Sequence, residues 1–144
     1  MKKILLLALI ICSANWVWAQ CEKKIIWTAS KAEFLDESGA VQDTKDVTVV
    51  IESSGKFVKI THSDDLNDSL MGPVKELKCG WSEPFKNGKL EYKCDLSERS
   101  GDMANSIMTV EAKDSKITIY LHIETPDGKK MTIRIPVENY KEST

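Results

Sequence analysis

Apolar residues recur at every second position along most of the chain after Lys24, the period of a strand with one buried face. The densest instance is Lys75 to Leu96. Leu77, Cys79 and Trp81 lead into a turn, and Leu90, Tyr92, Cys94 and Leu96 lead out of it. Pro84 and Asn87-Gly88 occupy the connection, so this stretch predicts a β-hairpin with one apolar face. Ile25, Trp27 and Ala29 predict the first strand. Phe34 falls on the opposite parity, which predicts a bulge or bend between Ser30 and Glu33. Val47, Val49 and Ile51 predict a strand that turns at Ser53-Ser54-Gly55 and returns from Phe57 to Thr61. Met108, Val110 and Ala112 are followed, across Lys113-Asp114-Ser115, by Ile117, Ile119, Leu121 and Ile123. Thr125-Pro126-Asp127-Gly128 is a strong turn sequence, and Met131, Ile133, Ile135 and Val137 answer it. Pro136 lacks a backbone donor, so the last strand lies at an edge or its end leaves the ladder.

Three polar stretches interrupt the alternation: Asp36 to Asp46, residues 63–72, and Ser97 to Asn105. They are predicted as connections, and the polar tail from Glu138 is predicted to fray. The pattern gives eight strands and no helix. Short connections favour pairing of neighbours in an antiparallel meander. One-faced alternation puts a core on one side and water on the other. Closing the sheet removes its edges. The predicted fold is all-β, an eight-stranded antiparallel up-and-down meander closed into a small barrel, with a β-sandwich as the alternative.

The ends and the charge change where this domain is placed. Lys2 and Lys3 precede an unbroken apolar run from Ile4 to Ile11, and Val17 and Ala19 fit the −3 and −1 positions of a cleavage site. Residues 1–19 are read as a secretory signal peptide, cleaved after Ala19. The apolar run is too short to span a bilayer, so no stable membrane insertion is expected. Gln20 stands where lipidation of Cys21 needs a small residue. The remaining 125 residues, 20–144, form one domain large enough to bury a core. Without Lys2 and Lys3 the chain carries 18 basic and 22 acidic side chains, a net charge of −4. No basic stripe is present, so nucleic acid is not an expected partner.

Cys12 leaves with the signal, and Cys21, Cys79 and Cys94 remain in an oxidising compartment. The hairpin predicts a Cys79–Cys94 disulfide, with Cys21 free or bound to another molecule; three simple thiols are the alternative.

The layout resembles the small lipocalin-like (calycin-like) secreted proteins of bacteria. The residues that carry the likeness are Ile25-Ile26-Trp27 and the strand spacing from Val47 to Val137. Where the typical family has Gly-x-Trp, this chain has Ile25 in the place of the glycine. The resemblance implies a barrel with an apolar cavity and names no ligand.

Candidate chemistry is sparse. His62 and His122 belong to no zinc or catalytic spacing and are predicted as exposed side chains. Asp64, Asp65, Asn67 and Asp68 form the densest oxygen cluster, but the EF-hand order fails and a solvated loop is the reading. No Ser-His-Asp order, glycine-rich phosphate loop or zinc motif occurs, and no pair of carboxylates stands out. No enzyme activity, cofactor or metal is expected. The aromatics are the remaining lead. One expectation is a small apolar or amphipathic ligand held by Trp27, Leu77, Trp81, Leu90 and Tyr92. The other is a non-enzymatic protein- or glycan-interaction module with a solid core, using Phe85, exposed in its turn, and the segments 63–72 and 82–88.

Overall fold

The computed structural model describes residues 19–143. Apart from Ala19, the predicted signal peptide lies outside the described residues. The strands are β1 (Lys24–Leu35), β2 (Val41–Ser53), β3 (Phe57–His62), β4 (Asp65–Glu83), β5 (Asn87–Ser97), β6 (Met103–Lys113), β7 (Lys116–Glu124), β8 (Lys130–Pro136) and β9 (Asn139–Ser143). Each of β1 to β7 pairs antiparallel with the next, and β8 returns to β1. This is the closed up-and-down barrel that the alternation predicts, with β9 added.

Closure rests on β1. Its last residues, Glu33 to Leu35, pair with β8, while Lys24 to Thr28 pair with β9. Between them the register against β2 slips from Ala29 to Lys31. That is the bulge announced by the parity of Phe34. The chain leaves β8 at Pro136, whose missing donor falls where the strand changes partners. Val137 N then donates to Ile117 O and Glu138 N to Thr28 O. On the outer face of the seam, Arg134 Nε lies 2.5 Å from Glu33 Oε2, and Lys31 Nζ lies 3.0 Å from Glu33 Oε1.

Residues 36–40, 63–64 and 98–102 are connections as the pattern predicts, but parts of the polar stretches are strands. β2 begins at Val41 within the expected Asp36–Asp46 loop, and β4 begins at Asp65 within the expected 63–72 loop. The tail predicted to fray is β9, with Trp27 opposite Tyr140. In each case an existing strand offers a free backbone ladder. Residues 41–46 and 139–142 are exposed, so they join for backbone hydrogen bonds and leave no apolar period.

β4 is 19 residues long and serves two neighbours. Residues up to Pro73 pair with β3, and those from Val74 pair chiefly with β5. Two hairpins therefore overhang opposite ends of the barrel. At the exchange, a Cβ on Gly72 would lie 1.7 Å from Asp95 O, so only glycine allows β4 to approach β5 there.

The inner face is filled by the alternating residues. Ile25, Trp27, Ile51, Val58, Leu90, Tyr92, Leu96, Met108, Val110 and Ile119 are all at most 1% exposed. Burial of each large side chain contributes about 1.5–3 kcal/mol.

The cysteine pairing differs from the expectation. Cys21 and Cys79 form the disulfide, with their Cα atoms 6.0 Å apart, and Cys94 is a buried thiol. The hairpin register explains it: Cys79 lies opposite Leu90, whereas Cys94 lies opposite Val74. Cys94 is thus four positions past Cys79's partner, about 13 Å along a strand at roughly 3.3 Å per residue. Residues 19–21 make one helical turn beside the overhanging part of β4. Gly55 N donates to Glu22 O at 3.3 Å, which ties this segment to the β2–β3 turn.

Candidate functional site

The two ends of the barrel differ. At the end that carries the β4–β5 turn, Glu83 O accepts from Lys86 N at 3.0 Å, with Pro84 and Phe85 between them. Phe85 has φ 61°, the left-handed conformation that such a turn usually gives to glycine. For an L-residue this costs roughly 1–2 kcal/mol. The ring is what offsets the cost. Phe85 is not an exposed turn residue: it is 9% exposed, because the overhanging hairpin folds its tip across the barrel end. Its ring stacks on Tyr140 at 4.7 Å and lies 5.7 Å from Trp81 and 6.1 Å from Trp27. Four aromatic rings close this end.

Four of the five residues expected to hold a ligand, Trp27, Trp81, Leu90 and Tyr92, are buried, and Leu77 is partly buried against the same core. All five belong to the half sealed by Phe85. Trp27 Nε1 donates to Ser53 Oγ at 2.8 Å. Burial pushes the Tyr92 phenol up, and the nearby Ser53 hydroxyl offsets part of that. Neither Tyr92 Oη nor Trp81 Nε1 makes a well-formed hydrogen bond.

The opposite end is open. There the bulge in β1 turns Ala32 and Phe34 toward the interior, facing Val47 and Val49 of β2 and Ile60 of β3. Leu70, Leu121, Ile133 and Ile135 complete an apolar cup of about 190 Å³. Lys45, His62 and Asp64 supply its polar lining. Lys45 Nζ lies 5.4 Å from the centroid of the Phe34 ring, a cation–π distance. His62, expected as an exposed side chain, is half-buried in the cup wall. His122 is exposed, with Nδ1 2.9 Å from Thr132 Oγ1.

None of the five expected ligand residues lines this cup. The aromatics among them, Trp27, Trp81 and Tyr92, are buried in the sealed half. The one sequence sign of the cup was the parity of Phe34, which marks where β1 bends to widen the barrel. Lys45 and His62 gave no sign, because the polar stretches around them read as loops.

A hollow of about 430 Å³ lies on the outside of the barrel, lined in part by Lys93, Ile107, His122, Glu124 and Lys130. It rests on the barrel wall among charged side chains and lacks the apolar enclosure of the cup. Among the described residues, no group of three His, Cys, Asp or Glu side chains is placed to hold a metal ion. Among the same residues, no helix is long and apolar enough to cross a membrane.

Comparison with protein-family models, with curated proteins and with solved structures found no match to this chain.

Proposed function

We propose that this is a lipocalin-like binding protein, exported to the periplasm or secreted, that takes the apolar end of a small amphipathic ligand into its open cup. The observation that carries the reading is the continuous apolar wall at one mouth of a barrel whose other mouth is sealed. Pockets that enclose a drug-sized ligand run to about 300–1,000 Å³. At about 190 Å³ the cup suits one chain end, with the remainder of the ligand at the rim. Lys45 and His62 offer donors to a polar head, and Asp64 offers an acceptor. Such a protein binds and releases its ligand without chemical change. Export is supported by the Cys21–Cys79 disulfide, which suits an oxidising compartment, and by the basic and apolar pattern of the first residues.

Titration calorimetry with decanoate and decanol tests this on delipidated protein. Saturable binding is expected, weakened at least ten-fold by Leu70→Trp, which fills the cup from a partly buried position. Absence of heat and of displacement across saturated acids and alcohols of six to twelve carbons contradicts it.

A second reading, a non-enzymatic interaction module, is favoured by one observation. Met71 and Met103 are 43% and 53% exposed and lie on either side of Ser97 in one row across the outer face. Flexible thioethers suit an adaptable contact surface. Phe85, being buried, is not part of it.

A further inference from the structure

The sealed end bears two separate costs. Phe85 holds a left-handed backbone conformation that its side chain disfavours. Beside it, Trp81 is 6% exposed and its Nε1 has no hydrogen-bond partner, while the hydroxyl of the fully buried Tyr92 has only the Ser53 hydroxyl near it, without a well-formed bond. Buried polar groups in native proteins are nearly always paired, so the orphaned Trp81 Nε1 in this sealed half calls for an explanation. Strained residues persist where the surroundings hold them, and they concentrate at binding sites.

The backbone of the turn is fixed independently of the ring. Ser115 N donates to Lys86 O at 3.1 Å, and Asp114 N to Asn87 Oδ1 at 3.2 Å, so the neighbouring β6–β7 turn holds the hairpin tip. The ring can therefore leave while the turn stays. Its outer neighbour Tyr140 is half-exposed and stands on the short terminal strand β9.

From this we infer that the Phe85 ring is a built-in occupant of a second binding site, between Trp27, Trp81 and Tyr140. The ligand it stands in for is a planar, apolar molecule with one hydrogen-bond acceptor. Such a molecule replaces the stacking of the ring and accepts a hydrogen bond from Trp81 Nε1, which lacks a partner beside the ring. Tyr92 Oη, deeper in the same half, can donate to a longer ligand. This site is separate from the open cup and shares no lining residue with it.

The test uses prodan, a planar naphthalene ketone whose emission moves to the red when its carbonyl accepts a hydrogen bond. Wild-type protein, Phe85→Gly, Phe85→Gly with Trp81→Phe, and Phe85→Gly with Ile133→Trp in the cup are titrated, with heat unfolding and near-ultraviolet circular dichroism to confirm folding. Phe85→Gly removes the ring and relieves the backbone, and it is expected to bind at least ten-fold tighter than wild type with red-shifted emission. Adding Trp81→Phe is expected to cost about five-fold and to abolish the shift. Adding Ile133→Trp is expected to leave the tighter, red-shifted binding of Phe85→Gly in place. If Phe85→Gly does not fold, Phe85→Ala, which keeps a side chain at the turn, takes its place with the same expectations. Equal affinity with and without the ring overturns the assignment, as does a gain indifferent to Trp81→Phe. Loss of that tighter binding when Ile133→Trp is added to Phe85→Gly also overturns it and places prodan in the cup.

Discussion

Cys94 is the residue whose chemistry is most directly set by its surroundings. It is 2% exposed, and burial first, then the charge of Asp95, pushes its thiol up to about 11. The thiolate is the reactive form, so at pH 8 almost none is present. In a chain of residues 20–144, iodoacetamide is expected to label no cysteine in the native state at that pH and one in denaturant, read by mass spectrometry. Labelling of Cys21 or Cys79 in the unreduced protein would contradict the pairing. The sequence made the inward face of Cys94 legible through its alternation with Lys93 and Asp95. It did not make the partner of Cys79 legible, because pairing depends on a register set at Trp81 and Gly88 and on a Cys21 distant in sequence. Phe85 was misread for a related reason. A turn residue is ordinarily exposed, and only the overhang of the β4–β5 hairpin folds its ring inward.

Among the elements, the two that close the structure carry testable stabilisation. The disulfide joins the N-terminal segment to β4 across a separation of 58 residues. The chain-entropy model gives about 4 kcal/mol for a loop of that size. Cys21→Ser and Cys79→Ser are each expected to lower stability by roughly 2–4 kcal/mol in urea unfolding, with the double variant no worse than either alone. At the β1–β8 seam, the hydrogen bond from Arg134 and then that from Lys31 hold the Glu33 carboxyl below its ordinary 4.5. The folded state thus favours the ionised form. Its stabilisation is complete above about pH 4.5 and is lost as pH falls through the lower folded value. Glu33→Gln is expected to cost about 1 kcal/mol at pH 7 and progressively less below pH 4.5. A constant difference from pH 7 to pH 3 would contradict that role. Strand existence was legible wherever one face is buried, as in β5, β6 and β7. It was not legible for residues 41–46, 65–70 and 139–143, which are held chiefly by backbone ladders that polar sequences form equally well.

For the whole molecule, the meander and its closure follow from eight one-faced strands and short turns, and these are written in the sequence. The asymmetry of the two mouths is not. It depends on where the long β4 hands over from β3 to β5 at Gly72, and on where β1 slips its register after Ala29. Those two local irregularities seal one end with aromatics and leave the other as an apolar cup. The central claim is that this cup receives the apolar end of a ligand. The most direct measurement is a methyl-labelled NMR titration of the delipidated protein with decanoate. The account predicts shifts at Val47, Val49, Ile60, Leu70 and Ile133, with Leu90, Leu96 and Val110 unmoved. Shifts confined to Leu90 and Val110, or none at saturating decanoate, would contradict it.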